Sequence, residues 1–209
     1  MLINEKNISG FVPDNCVKDI NNLLDGHKVI LQVKQFRGLK LGEFVVNNKT
    51  GKMKISINET LDKYSFLITL VHEIAHLYVW EKHQYKKIKP HGKEWKTTFN
   101  TLMHIFINKN IFPYEIECAL RQYLLNPGAS TFSSVELVSS LMPYSKSNKN
   151  TRLEQLPDDA EFILLNGMRM RKIRILRKRY ECLCLDNNRN YTISPFAEVI
   201  PVINLNKIK

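Results

Sequence analysis

The sequence is poor in cysteine, with only four among 209 residues. Cys182 and Cys184 stand close together, but no second pair accompanies them, whereas a structural zinc ribbon needs two such pairs to supply four ligands. The other two cysteines, Cys16 and Cys118, are isolated. Few, unpatterned cysteines are typical of proteins in a reducing compartment. We therefore expect a cytoplasmic protein.

Long apolar runs are also missing. No uninterrupted apolar segment reaches 18 residues, which is about the length that a membrane-spanning helix needs. The N-terminal residues 1–7 carry charges without the apolar stretch that follows them in a secretory signal. The sequence therefore predicts neither a membrane span nor a secretory signal.

Acidic residues are in deficit, with 20 Asp and Glu against 31 Lys and Arg, so the net charge is +11. Such an excess favours polyanionic partners, above all nucleic acids, although it is equally compatible with general solubility. A hydrophobic content of 44% is ordinary for a globular protein. The length suits one domain, or one domain with a small appendage.

The most informative motif that the sequence does contain is the segment His72-Glu73-Ile74-Ala75-His76 within an apolar helical pattern. Residues four apart lie on the same face of a helix, so two imidazoles at this spacing can bind one metal ion. Glu73 is rotated by about 100° from His72, which is the place of a general base beside the metal rather than on it. The competing interpretation is an amphipathic helix with two hydrogen-bonded histidines and a surface glutamate.

A zinc site requires a third protein ligand, and His91 is the best candidate. His83 falls near the same helical face as His76 but about 10 Å further along the axis. His91 follows Pro90, which should end the first helix and let the chain turn back towards the metal. The alternative is that His91 is an ordinary loop histidine before a second helix. Two acidic residues further on, Glu115 and Glu117, are fallback ligands if His91 is not one, but the favoured interpretation of both is a solvated helix start.

The motif His72-Glu-x-x-His76, a spacer of fourteen residues and then His91-Gly92-Lys93-Glu94-Trp95 resembles the SprT-like family of zinc metallopeptidases, which includes the DNA–protein crosslink protease Spartan. The resemblance covers about residues 10–110. It implies a zincin-like core, Zn²⁺ held by His72, His76 and His91, Glu73 as the catalytic base, and substrates that are proteins bound or crosslinked to DNA. The C-terminal part, in which no zinc ribbon is predicted, resembles a ribbon-less group of bacterial SprT-like proteins.

The predicted fold class is α+β, with a zincin-like core over residues 1–125. The core should contain a small sheet, the active-site helix and the helices that follow. Turn-forming residues predict a linker over 126–159 with a possible short helix at 134–142, and residues 160–209 should form a small basic antiparallel β appendage. The predicted elements are a helix over 13–26, a strand over 28–36, a hairpin of 44–46 with 53–57, a helix over 62–82, a helix from 91 to about 107 and a helix over 113–125.

A second candidate site is the basic segment 168–180, which has no acidic residue. Strand alternation would gather several of its cations on one face, suited to DNA phosphates, while the Met and Ile side chains pack inward. A solvated edge strand protected by charge would show the same pattern. The candidate nucleic-acid-binding residues are Arg169, Arg171, Lys172, Arg174, Arg177, Lys178 and Arg179.

The leading hypothesis is a zinc-dependent endopeptidase acting on DNA-bound or DNA-crosslinked proteins. One alternative is a nucleic-acid-binding protein with a structural or vestigial zinc site, although a structural site has no need of Glu73. Another is a peptidase for one dedicated protein partner, whose acidic surface the cations would bind. The sequence makes no prediction about the oligomeric state.

Overall fold

The structure, a computed structural model, describes residues 2–3, 8–34, 41–47, 49–83, 88–128, 134–145, 151–164 and 168–201. These residues form five α-helices and two β-sheets, so the predicted α+β class is confirmed. The chain divides into two compact units, one containing the described residues up to 145 and the other those from 151 onwards. Each unit has its own hydrophobic core. No helix in the described ranges is long and apolar enough to cross a membrane.

The first unit contains a four-stranded sheet in the order β1-β2-β4-β3. Its strands are β1 (Leu2–Ile3), β2 (Val29–Lys34), β3 (Gly42–Val46) and β4 (Met53–Asn58). The pair β2 and β4 is parallel, whereas β3 and β4 form the predicted antiparallel hairpin. Asn47 builds the hairpin turn because its Oδ1 accepts the backbone N–H groups of Lys49 and Thr50.

Five helices complete the first unit. They are α1 (Val17–Leu24), α2 (Lys63–Lys82), α3 (Lys93–Ile107), α4 (Tyr114–Leu124) and α5 (Val135–Leu141). The helix α1 is shorter than predicted because Asp14–Cys16 forms a 3₁₀ turn before it. The helix α2 begins at Asp62, whose carboxylate caps it by accepting the backbone N–H groups of Tyr64 and Ser65.

The segment predicted as a linker contributes to both cores. Leu137 and Leu141, from the predicted short helix, are buried in the core of the first unit. Leu153 and Leu156 are buried in the core of the second unit. The serine- and asparagine-rich stretches around these residues predicted turns, but the leucines between them have enough apolar surface to be buried.

The second unit is a six-stranded antiparallel sheet in the order β5-β10-β6-β7-β8-β9. Its strands are β5 (Thr151–Arg152), β6 (Glu161–Leu164), β7 (Arg169–Ile175), β8 (Tyr180–Cys184), β9 (Arg189–Ile193) and β10 (Glu198–Pro201). Phe162, Met170, Cys182 and Cys184 pack in its core. The strands β5 and β10 were not predicted, since each is too short to show an alternating pattern.

Candidate metal centre

The helix α2 holds His72 in a buried position and His76 in a half-buried one. It packs against α3, β3 and β4, so it is covered on several sides, which explains why its sequence is apolar almost throughout. His72 is 7% exposed and Glu73 is 6% exposed. Polar side chains this deeply buried need partners, because desolvation of an unpaired polar group is costly.

His91 reaches the same place through a tight turn. The backbone N–H of Gly92 donates to the carbonyl oxygen of Lys89 at 2.9 Å, with Pro90 and His91 in the two central positions. The backbone of His91 has φ 58°, a left-handed conformation that costs a non-glycine residue about 1–2 kcal/mol. The predicted turn at Pro90 is therefore present, and it brings His91 towards α2 at the expense of local backbone strain.

The three histidines converge on one point. The Nε2 atoms of His72 and His91 are 3.1 Å apart, and those of His72 and His76 are 3.3 Å apart. The third distance, between the Nε2 atoms of His76 and His91, is 2.9 Å. One ligand atom from each histidine lies within 4.8 Å of the other two, so the three could hold a metal ion together. The structure thus brings together all three ligands that the sequence predicted.

The imidazoles are held neutral, which keeps their nitrogen lone pairs available. Burial, and then the proximity of His76 and His91, lowers the pKa of His72 to about 3. Burial and the nearby His91 lower the pKa of His76 to about 4, and burial alone lowers the pKa of His91. The Nδ1 atom of His72 is buried and has no hydrogen-bond partner among the described residues.

Trp95 forms a wall against which all three histidines pack, a role that the sequence did not reveal. Its ring centroid lies 4.5 Å from that of His72, 5.4 Å from that of His76 and 4.7 Å from that of His91. Its Nε1–H donates to the backbone carbonyl of His72 at 3.3 Å. The sequence analysis named Trp95 only as the last residue of the SprT-like motif and assigned it no role at the metal site.

Glu73 lies against the first residue of β3. A Cβ atom added to Gly42 would be 2.9 Å from the Glu73 Oε1 atom and 3.1 Å from its Cγ. It would also be 2.8 Å from Cγ2 of Thr69, which is one turn earlier on α2. Only glycine leaves room for the carboxylate at this close approach, so Gly42 is a second site residue that the sequence did not predict.

The model of the SprT-like family matches residues 15–117. This segment is SprT-like. The family is a metallopeptidase-like one, and the match contains the whole histidine cluster. The comparison with curated proteins and the comparison with solved structures each find no match. The predicted resemblance is therefore confirmed, and the SprT-like part of the chain is the part that holds the candidate metal centre.

The other candidate ligands in the SprT-like unit make different contacts. The Nδ1 atom of His27 lies 2.6 Å from the Oε2 atom of Glu81, and His83 forms the C-cap of α2. Glu117 is ion-paired with Arg121 at 2.8 Å, and Glu115 lies in the first turn of α4. The fallback ligands therefore are not part of the cluster.

Outside the SprT-like match, the strand cations of β7 fall on two faces. Arg171 forms an ion pair with Glu161 at 2.8 Å, and Arg169 lies 3.9 Å from the same carboxylate. Arg174 forms an ion pair with Glu181 at 2.7 Å. The pairing register of β7 with β8 shifts between Lys172 and Arg174. Because of this shift, Arg174 lies on the same face of β7 as Arg169 and Arg171.

Lys172 differs from its neighbours because it points into the core of the second unit. It is 3% exposed, its Nζ donates to the carbonyl oxygen of Leu156 at 2.6 Å, and it lies over the ring of Tyr180. Ile173 and Ile175 are instead exposed, contrary to the prediction that the Ile side chains pack inward. Strict alternation from the buried Met170 and Lys172 already places Ile173 on the outward face of β7, and Ile175 is the last residue of the strand.

The remaining three candidates, Arg177, Lys178 and Arg179, occupy the turn between β7 and β8. The backbone N–H of Leu176 donates to the carbonyl oxygen of Arg179 and closes this hairpin tip. All three side chains are exposed, and no ion pair involves them within the described part of the chain. Among the seven candidate cations of segment 168–180, those that remain available to an external partner are therefore concentrated at the hairpin tip rather than along β7.

Proposed function

We propose that the protein is a zinc-dependent endopeptidase. The observation that carries this proposal is the convergence of three neutral imidazoles beside the buried carboxylate of Glu73 on α2. Tetrahedral zinc with Zn–N bonds of 2.0–2.1 Å separates its ligand nitrogens by about 3.3 Å. The observed Nε2 separations of 2.9–3.3 Å fit that requirement, and three protein ligands are the usual number in catalytic zinc sites.

In this proposal His72, His76 and His91 would bind the zinc ion. The bound ion would act as a Lewis acid and lower the pKa of a water molecule bound to it. Glu73 accepts a proton on its carboxylate from the water that attacks the scissile carbonyl. It then gives that proton to the nitrogen of the leaving amine, so the base is regenerated. Trp95 keeps the imidazole rings in position, and the packing of β3 and α3 on α2 shields the carboxylate from bulk solvent.

The test combines metal analysis with proteolysis. We expect the purified wild-type chain to bind one zinc ion and to cleave an unfolded protein substrate. Glu73→Gln should retain the zinc, because Glu73 is not a ligand, and should lose cleavage by a factor of at least about 100. His76→Ala is the matched variant that should lose both. Proteolysis by Glu73→Gln at the wild-type rate would refute the mechanism.

We further propose that the substrates are proteins bound or crosslinked to DNA. The net charge of +11 and the hairpin tip of Arg177, Lys178 and Arg179 support this proposal. Three exposed cations on one turn can neutralise phosphates and release counterions without reading the sequence. The strand cations are expected to contribute less, because carboxylates of the same unit already neutralise part of their charge.

Two triple variants with the same change in charge separate a specific contact from the overall charge. The tip variant replaces residues 177, 178 and 179 by alanine, and the strand variant replaces Arg169, Arg171 and Arg174. Binding to a DNA duplex is measured over a range of salt concentrations. We expect the tip variant to lower the slope of log affinity against log salt by up to about 2.7, and the strand variant to lower it less. Equal effects would contradict the assignment to the tip.

The link between DNA binding and proteolysis needs its own measurement. One substrate protein is offered free and covalently attached to DNA, and the cleavage rates are compared for the wild type and the tip variant. We expect DNA attachment to accelerate cleavage by the wild type only. Equal rates for the two substrate forms would favour a peptidase whose substrates are unrelated to DNA.

A further inference from the structure

A cavity of about 400 Å³ lies beside the candidate metal centre in the first unit. One of its walls contains His91, the ligand that the turn at Pro90 delivers. Its lining also includes residues that follow α4, namely Leu125 and Pro127. Because His91 belongs both to the cavity lining and to the histidine cluster, the cavity adjoins the cluster at this residue.

The charged residues in the cavity lining all have the same sign. Lys89, Lys93 and Lys96 contribute to it, and no aspartate or glutamate does among the residues that the structure describes. The Nζ of Lys96 donates to the Asn126 Oδ1 atom at 2.6 Å, which fixes the position of one of the three ammonium groups. Three cations around a restricted volume favour an anionic group and disfavour a cationic one.

The remaining lining narrows the choice of anion. Leu125 and Pro127 offer apolar surface, and Asn100 and Thr97 offer polar groups. A methylene stem ending in a carboxylate matches this mixture of apolar and cationic surface. A nucleic-acid backbone would instead require a track of cations along successive phosphates. A cavity that adjoins the cluster at His91 is placed to bind a side chain next to the bond that reacts.

We propose that this cavity is a substrate subsite that takes an acidic side chain, glutamate or aspartate, close to the scissile bond. The proposal rests on the proposed peptidase function, because it assigns the cavity to the same site. The three lysines act as specificity-determining residues, and they take no part in the chemical step.

The expected preference is roughly tenfold for glutamate over glutamine, because one favourable charge contact near a protein surface is worth about one power of ten. Peptides that differ only in Glu, Gln or Lys at single positions around the cleaved bond provide the probes. The zinc-loaded wild-type chain should show the preference in kcat/KM at one of these positions. Lys96→Glu should reduce it at least about threefold, because the charge of these three positions falls from +3 to +1 while Lys89 and Lys93 remain.

A control with the same change in net charge is Lys18→Glu, an exposed lysine on α1 that does not line the cavity. It should leave the preference unchanged, because only its overall charge matches that of Lys96→Glu. Binding of the same peptides to the Glu73→Gln protein, followed by fluorescence anisotropy, measures the subsite without any turnover.

The outcomes distinguish this inference from the proposed function. A tenfold binding preference for the glutamate peptide that Lys96→Glu reduces supports the subsite even if the wild-type chain cleaves nothing. Absence of cleavage would contradict only the peptidase assignment. Cleavage or binding with equal preference for Glu and Gln overturns the subsite. It is also overturned if Lys96→Glu weakens binding of a short oligonucleotide while the peptide preference is absent, because the cavity would then bind phosphate.

Discussion

Gly42→Ala should separate catalysis from metal binding. The new Cβ would lie 2.9 Å from the Oε1 atom of Glu73, whereas ordinary contact begins at 3.4 Å. Thr69, the other neighbour, is held in place because its hydroxyl donates to the Ser65 carbonyl at 2.8 Å and its branched side chain is stiff. The carboxylate of Glu73 is therefore the group that moves. Its displacement is roughly 0.5 Å, the difference between the 2.9 Å approach and the 3.4 Å at which ordinary contact begins.

The size of the effect follows from this displacement. A misplacement of about 1 Å at a reacting group can reduce a rate by about 100-fold, so we expect kcat/KM to fall by roughly 10- to 100-fold. That loss corresponds to about 1.4–2.7 kcal/mol of transition-state stabilisation. The stability of the fold should fall by about 1–3 kcal/mol through overpacking. The zinc content should stay at the wild-type level, since the three histidines do not depend on Gly42.

The assay is kcat/KM for a fluorogenic peptide together with the zinc content of the same sample. Gly51→Ala is the matched control, because Gly51 has a positive φ and no atom within 4 Å of its added Cβ. It should lose about 1 kcal/mol of stability through backbone strain and keep its turnover. Wild-type turnover by Gly42→Ala, or loss of zinc in proportion to the loss of activity, would refute the reasoning.

Three further predictions concern the histidines and their supporting wall. His91→Asn should stabilise the metal-free protein against urea by about 1 kcal/mol, because asparagine tolerates the left-handed backbone conformation at this position. The same change should lower the affinity for zinc at least about 100-fold. An unchanged affinity for zinc would exclude His91 as a ligand. In the metal-free protein, the lowered pKa values of about 3 for His72 and about 4 for His76 mean that the unfolded chain binds more protons below pH 6.5. The free energy of unfolding should therefore fall as the pH drops from about 6.5 towards 4, by up to about 1.4 kcal/mol per pH unit for each histidine, and a flat profile in urea titrations would contradict this. Trp95→Phe should lower the free energy of unfolding by about 1–3 kcal/mol, because the hydrogen bond to the His72 carbonyl is lost, and should keep zinc binding. Trp95→Ala should lower the free energy of unfolding by about 3–5 kcal/mol and should weaken zinc binding. Equal effects of the two changes in thermal unfolding and zinc titration would contradict a supporting role of the Trp95 ring.

Local geometry explains which site residues the sequence could predict. His72 and His76 are four residues apart on one helix, so their common face follows from the helical repeat alone. The arrival of His91 depended on a turn whose direction the sequence could only suggest through Pro90. The SprT-like motif strengthened that expectation, and the Nε2 distances confirmed it.

The contributions of Gly42, Trp95 and Lys172 were decided by tertiary structure. Gly42 lies against Glu73 because β3 packs on α2, a contact between residues 31 positions apart. Trp95 looks like any core aromatic until its three histidine neighbours are in place. Lys172 looks like one cation among seven until the pairing of β7 with β8 places it on the same face as Met170, which packs in the core. The helical repeat and the turn chemistry are set within a few residues, so the sequence by itself determined the common face of His72 and His76 on α2 and the hairpin. Contacts between distant segments depend on how whole elements pack, and these only the tertiary structure decided.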